Sequence, residues 1–207
     1  MPRKADPSRR DAILDAAAAV FARKGYAAAR IIEVARAAGV GKGTIYEYFP
    51  SKEALFFAVF EAMMRAAGDE VSALAQELEG SFDERMEHLS DRMIQTWLDR
   101  LDVYALVMEF WSATASSPSR DRFKAVFQEG YRHLRSVVGG LIRDAQRTGE
   151  AAPACDPRQV AAGLLGTWDA LLLQAWLDPD FDALAASRGF LAVVLRGLRS
   201  APEGSSS

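Results

Sequence analysis

The stretch 34-VARAAGVGKGTIYEYFPSKEALF-56 decides how the whole chain is read. Its segment 36-RAAGVGKGT-44 nearly spells the phosphate-binding loop G-x-x-G-x-G-K-G-T, in which Lys42 would meet the phosphates of a nucleotide. The same letters, followed by Tyr46, Tyr48 and Phe49, also fit a tight turn that enters a short helix lying on a duplex. A phosphate-binding loop must leave a β-strand, so that its backbone N–H groups can wrap an anion. Here Arg36 stands where the first glycine of that loop belongs. The preceding 31-IIEVARAA-38 places Ile31, Val34, Ala35 and Ala38 on one helical face and is too polar for a buried parallel strand. The helical reading therefore prevails.

On that reading Gly39 stops one helix, Val40 packs in the turn, and Gly41 opens a second helix over about 42–48. Pro50 ends it, because proline restricts the residue before it. Ile45 and Phe49, four apart, form the buried face. Lys42, Thr44, Tyr46, Glu47 and Tyr48 supply a cation, a hydroxyl, two phenols and a carboxylate for a major groove. Upstream, Ile13, Ala16, Ala17, Val20, Phe21 and Lys24 make one helical stripe, and Gly25 stands where a left-handed cap is wanted. Downstream, Ser51 caps a helix that carries Leu55, Phe56, Val59, Phe60, Met63 and Met64.

Residues 10–56 resemble the DNA-binding domain of the tetracycline-repressor (TetR) family of bacterial transcription regulators. The stretch quoted first follows that family's pattern I-A-x-x-A-G-V-S-K-G-T-L-Y-x-Y-F-x-S-K-E-x-L nearly throughout, and 13-ILDAAAAVFARKGYAA-28 matches its first helix. Arg30 replaces the usual capping Thr or Ser, and Gly41 replaces a Ser. The resemblance implies that Lys42 and Gly43 approach the DNA backbone and that Thr44 and Tyr46 reach phosphate or base edges. It also implies that Tyr48 and Lys52 clamp phosphates. Glu47 is suited to accept from a cytosine amine, and Arg30 to meet a phosphate. The implied function is a ligand-responsive transcriptional regulator, most often a repressor, that binds a palindromic operator as a dimer and is released by a small-molecule effector. The rival is a structural, nucleoid-type DNA-binding protein with no effector.

Beyond residue 56 the chain reads as helix almost throughout. Helices are expected over 82–101, over 102–114 up to 115-ASSPS-119, and over 120–148 with Gly139-Gly140 as a soft spot. Two more follow, over 157–177 and 182–198, giving an all-α chain of about nine helices. A helix-turn-helix domain over 7–67, a larger ligand-binding and dimerisation domain over 68–200, and a disordered tail over 201–207 are expected.

The last two helices are apolar on two faces, so each needs two partners. Leu165, Leu172, Trp176, Phe190 and Val194 are assigned to a homodimer interface, where Gly163, Gly166 and Ala170 allow close approach. The resemblance independently implies a four-helix interface between subunits. Trp97, Tyr104, Met108, Trp111, Phe127, Tyr131 and Trp168 either line a pocket for a largely apolar effector or are packed core. Glu109, inside 104-YALVMEFW-111, faces solvent or else points inward and favours a cationic ligand.

The formal net charge of −3 divides unevenly. Residues 1–65 balance at +4 and the remainder at −7, which suits one surface presented to a polyanion. Cys155 is the single cysteine, so no internal disulfide forms. Asp11 and Asp15 interrupt the apolar run near the N-terminus, and Asp169 and Gln174 interrupt 160-VAAGLLGTWDALLLQAWL-177. A cytoplasmic protein is expected, without a membrane span. His88 and His133 lie far apart with no cysteine near either, and no catalytic triad presents itself. No metal, cofactor or enzymatic activity is expected.

Overall fold

The computed structural model describes residues 6–114 and 120–199. The segment 115–119 and the tail 201–207, expected to be disordered, lie outside them. The described chain is all-α, and its helices are α1 (Pro7–Ala28), α2 (Ile31–Ala37), α3 (Lys42–Tyr48), α4 (Lys52–Glu77), α5 (Phe82–Leu98), α6 (Leu101–Thr114), α7 (Arg120–Thr148), α8 (Pro157–Leu177) and α9 (Ala183–Leu198). Their starts follow ordinary capping chemistry. Asp6 accepts the Ser8 N–H at 3.1 Å, Ser51 accepts the Ala54 N–H at 3.0 Å, and Asp182 accepts the Ala185 N–H at 2.9 Å. Ser81 and Glu84 form a reciprocal box at the start of α5.

The chain folds into two compact units. The first takes the residues up to Ala66 together with Asp102–Phe127. Its centre is phenylalanine: Phe21, Phe56, Phe57 and Phe60 are all but fully buried, with Ile13, Ile45 and Leu55 among them. Burying one such side chain is worth about 1.5–3 kcal/mol. Phe21 meets Phe56 edge-on at 5.1 Å, and Phe60 stacks on Phe123 at 5.1 Å. Leu106, Val107 and Phe123 belong to the same core. That packing is why 102–127 joins the N-terminal unit, whereas the sequence suggests a single cut after residue 67.

The second unit takes Ala67–Leu101 and the chain from Gln128 onward. Helix α8 packs against both α5 and α9, which also pack on each other. Met86, Leu89, Ile94, Ile142, Leu164, Leu165, Leu172, Leu191 and Leu195 fill the space between helices. Two buried hydroxyls satisfy one another there: Ser90 and Ser187 lie 2.9 Å apart, and the Trp168 indole N–H donates to Ser90 at 3.0 Å. Helix α7 runs unbroken through Gly139-Gly140. These glycines mark a seam rather than a soft spot, since a Cβ on Gly139 would stand 3.4 Å from the Pro157 carbonyl. Helix α8 is long and apolar enough to cross a membrane by length and composition, but one side of it is packed into this unit.

Candidate nucleic-acid interface

The turn between α2 and α3 is a helix C-cap in which every step is bonded. The Ala38 N–H donates to Val34 O at 2.8 Å, the Gly39 N–H to Arg36 O at 3.3 Å, and the Val40 N–H to Ala35 O at 2.9 Å. Gly39 has φ 67°, a conformation that costs a side-chain-bearing residue but not glycine. Val40 packs against the core, and Gly41 opens α3 in extended conformation. Helix α3 has only seven residues and is held by its apolar side, with Ile45 and the C-cap residue Phe49 buried.

The opposite side of α3 is left in solvent. Lys42, Gly43, Tyr46 and Glu47 are exposed and Thr44 is half-buried. The Lys42 ammonium lies 5.9 Å from the centre of the Tyr46 ring, so the cation and the phenol share one surface. Arg30, at the start of α2, is exposed as well. Its place as a poor N-cap is offset by Glu33, which accepts the Arg30 N–H at 3.2 Å and pairs with Lys24 at 2.6 Å. The Lys24 hydrogen bond, and then that of the Arg30 N–H, hold the Glu33 carboxyl below its ordinary value.

Two residues assigned to phosphate have internal partners. The Tyr48 hydroxyl accepts the Asp6 N–H at 3.0 Å, tying the start of α1 to the end of α3. Lys52 donates to Ala27 O at 3.1 Å and sits 4.7 Å from the centre of the Tyr26 ring. Burial lowers the pKa of Lys52, and the nearby Glu109 charge works against that shift. Both are half-buried, and both join helices as well as keeping part of their surface in solvent. Sequence reasoning passed over Arg9. It is exposed and lines a groove with Asp6, Ser8, Ala12, the turn Ala38, Gly39, Val40 and Gly41, and Thr44. The available signal was a basic residue in the first turn after the helix-starting Pro7.

Residues 13–59 match the model for bacterial regulatory proteins of the tetR family, and residues 82–200 match that for the C-terminal part of BetI-type transcriptional repressors. The chain belongs to the TetR family. It is a DNA-binding transcriptional regulator. It is 28% identical to the regulator BetI 2 of Chromohalobacter salexigens over 84% of this chain and 81% of that protein. Its fold is similar to a TetR regulator of Haloarcula marismortui, with TM-score 0.80 and 18% identity over 94% of this chain and 100% of the other. A regulator from Saccharomonospora viridis, solved in complex with choline, has TM-score 0.72 and 22% identity over 92% of this chain and 97% of the other.

The effector candidates of this TetR-family chain divide between the two units. In the first, Trp111 meets Phe123 at 5.4 Å and Phe127 at 5.7 Å, both edge-on, and Met108 packs on the same core. Tyr104 is half-buried on α6. In the second, Trp97 is half-buried and the Tyr131 hydroxyl donates to Asp169 at 2.5 Å. Burial raises the pKa of Asp169, against the effect of that hydrogen bond. Trp168 is core: it is buried and its N–H is taken by Ser90. Glu109 is half-buried and is bonded within the protein, accepting the backbone N–H groups of Tyr26 and Ala27.

The residues assigned to a subunit interface divide too. Leu165 and Leu172 are only 4% and 5% exposed, so they have no area left for a partner. Because α5 and α9 flank α8 on two sides, the buried arc of α8 is wider than one stripe. Trp176 and Phe190 are exposed, and Val194 is half-buried. The outward stripe of α8 is Ala162, Gly166, Ala170, Leu173 and Leu177, and that of α9 is Phe190, Val193 and Gly197.

Proposed function

We propose that this TetR-family regulator is a cytoplasmic repressor that binds a palindromic operator as a homodimer and leaves it on binding a small, largely apolar effector. The observation that carries the reading is α3 itself. Ile45 and Phe49 anchor it from below while Lys42, Gly43, Tyr46 and Glu47 are offered to solvent. In this reading Lys42, Arg30 and Arg9 meet phosphates and set the register. Thr44, Tyr46 and Glu47 reach base edges and carry the sequence preference.

The dimer reading is supported by the apolar stripe on α8 and α9. Leu177 is 67% and Val193 58% exposed, and an added Cβ on Gly163, Gly166, Gly189 or Gly197 would meet nothing within 4 Å. An open stripe of small and apolar residues suits close packing of a second copy, and a two-fold dimer calls for a palindrome with half-sites about one DNA turn apart. Leu173, Leu177 and Val193 take the place of Leu165 and Leu172 in that interface.

For the effector, the half-buried Tyr104 and the exposed Trp111, both on α6 of the first unit, supply aromatic surface with polar edges. Choline, a cation rather than an apolar molecule, is titrated first as the contrast to an apolar effector, because a quaternary ammonium sits on aromatic faces and the Saccharomonospora viridis regulator was solved with it. Helix α4, continuous from Lys52 to Glu77, is the rod that carries an effector's push to α3. A coupling of about 1–3 kcal/mol is sufficient, and the operator must weaken the effector by the same factor.

Selection of bound duplexes from random DNA, at one fixed salt concentration, tests the reading. Palindromes with half-sites one turn apart are expected. Salt-sensitive binding with no enriched sequence would leave only the structural DNA-binding protein, which the relatives' regulatory roles do not favour.

A further inference from the structure

Residues 25–27, at the corner between α1 and α2, are gripped from both sides. Gly25 adopts φ 74° and ψ 166°, a conformation essentially reserved for glycine, and it breaks the helical path of α1. The next two N–H groups converge on one carboxylate: Tyr26 N donates to Glu109 Oε2 at 3.0 Å, and Ala27 N to Glu109 Oε1 at 2.9 Å. On the carbonyl side, Lys52 of α4 donates to Ala27 O at 3.1 Å. The fit is close. A Cβ on Gly25 would stand 2.8 Å from Glu109 Oε2.

Glu109, in the apolar run 104-YALVMEFW-111, is half-buried. Drawing a carboxylate even partly out of water is costly unless its oxygens are bonded, and here each oxygen takes one backbone donor. The bonded segment leads within a few residues to Arg30 and the start of α2, whose C-cap turn orients α3. The clip therefore ties α6, which carries Tyr104, Met108 and Trp111, to the corner from which the helix-turn-helix begins. We infer that Glu109 is a positioning residue for operator binding. Its carboxylate, clipped over the Tyr26 and Ala27 amides, sets the orientation of α2 and α3 without touching DNA. The inference rests on the operator-binding reading above.

The test uses the full chain and Glu109→Gln, which keeps the side chain's shape and removes the charge. Far-UV circular dichroism checks that the variant stays helical. Two readouts then decide. Hydrogen exchange of the 25–29 segment is expected to quicken about tenfold, the scale set by losing charge-assisted bonds to two amides. Affinity for the selected duplex is expected to fall about tenfold while that for an unrelated duplex stays unchanged, since the phosphate-facing cations are intact.

Quicker exchange with unchanged specific affinity overturns the positioning role, and so does unchanged exchange. An equal fall on both duplexes overturns it as well, since that is the mark of general unfolding. If Glu109→Gln does not fold, Glu109→Asp, which keeps the charge but draws the carboxylate one methylene back from the Tyr26 and Ala27 amides, is judged by the same readouts. If the wild-type protein enriches no duplex, the operator reading fails, and the clip's role falls with it before any variant is made.

Discussion

The exposed side of α3 and the exposed stripes of α8 and α9 solve the same problem in opposite ways. Both lie over well-filled cores, and both leave side chains in water. On α3 those side chains are Lys42, Tyr46 and Glu47, each content to be hydrated and each able to bond a nucleic acid. On α8 and α9 they are Leu173, Leu177, Phe190 and Val193 beside glycines, which gain only by leaving water. The polar surface is suited to a partner that comes and goes. The apolar one is suited to a partner that stays. In the proposed reading the first meets DNA and the second meets another copy of the chain.

The largest effect separates what holds α3 from what it displays. Ile45→Ala should destabilise the first unit by about 2–5 kcal/mol, whereas Tyr46→Ala, one position on, should change stability by less than about 0.5 kcal/mol. Thermal melts compare the two, and similar losses would erase the distinction between anchor and display.

Next comes the apolar stripe. Val193→Arg places an unpaired charge where the second copy should sit, a penalty of several kcal/mol. It should raise the dimer dissociation constant about a hundredfold or more, as read by analytical ultracentrifugation. A dimer that persists unchanged moves the interface elsewhere. Smaller again, Lys42→Ala should weaken selected and unrelated duplexes alike and reduce the slope of log K against log salt by about 1. A loss confined to the selected duplex would make Lys42 a reader of bases.

The smallest effect is on pH. Glu33 has its folded pKa lowered from 4.5 by the Lys24 and Arg30 hydrogen bonds. The stability it contributes is therefore present above the unfolded value and is lost as pH falls through the folded one. Glu33→Gln should flatten the fall in melting temperature between about pH 5 and pH 3, and a parallel curve would remove Glu33 as the cap of α2.

Much of the first unit was legible because its rules are local. Gly39 at positive φ, Ser51 as a cap, and Ile45 with Phe49 as the buried pair follow from helix periodicity and backbone sterics, which act over four or five residues. Glu33 capping Arg30 obeys the same rules but is masked by the unusual Arg at that position. On α8 the sequence correctly placed Gly166, Ala170 and Trp176 on the exposed side but added Leu165 and Leu172, which are buried, because the width of a buried arc depends on how many neighbours flank the helix.

Glu109 marks the limit. In the sequence it is one acid among apolar residues, compatible with solvent or with a cationic ligand. Its real partners, the amides of Tyr26 and Ala27, lie more than eighty residues away and are backbone groups, which every residue but proline carries and no letter distinguishes. The same holds for the Tyr48 hydroxyl on the Asp6 amide and for Trp168 against Ser90. Helices, turns and the family pattern were written in the chain, since they arise from periodicity and from the conformational limits of single residues. Which polar group meets which, and which apolar face stays outside, was settled by packing, because both depend on what distant segments bring alongside.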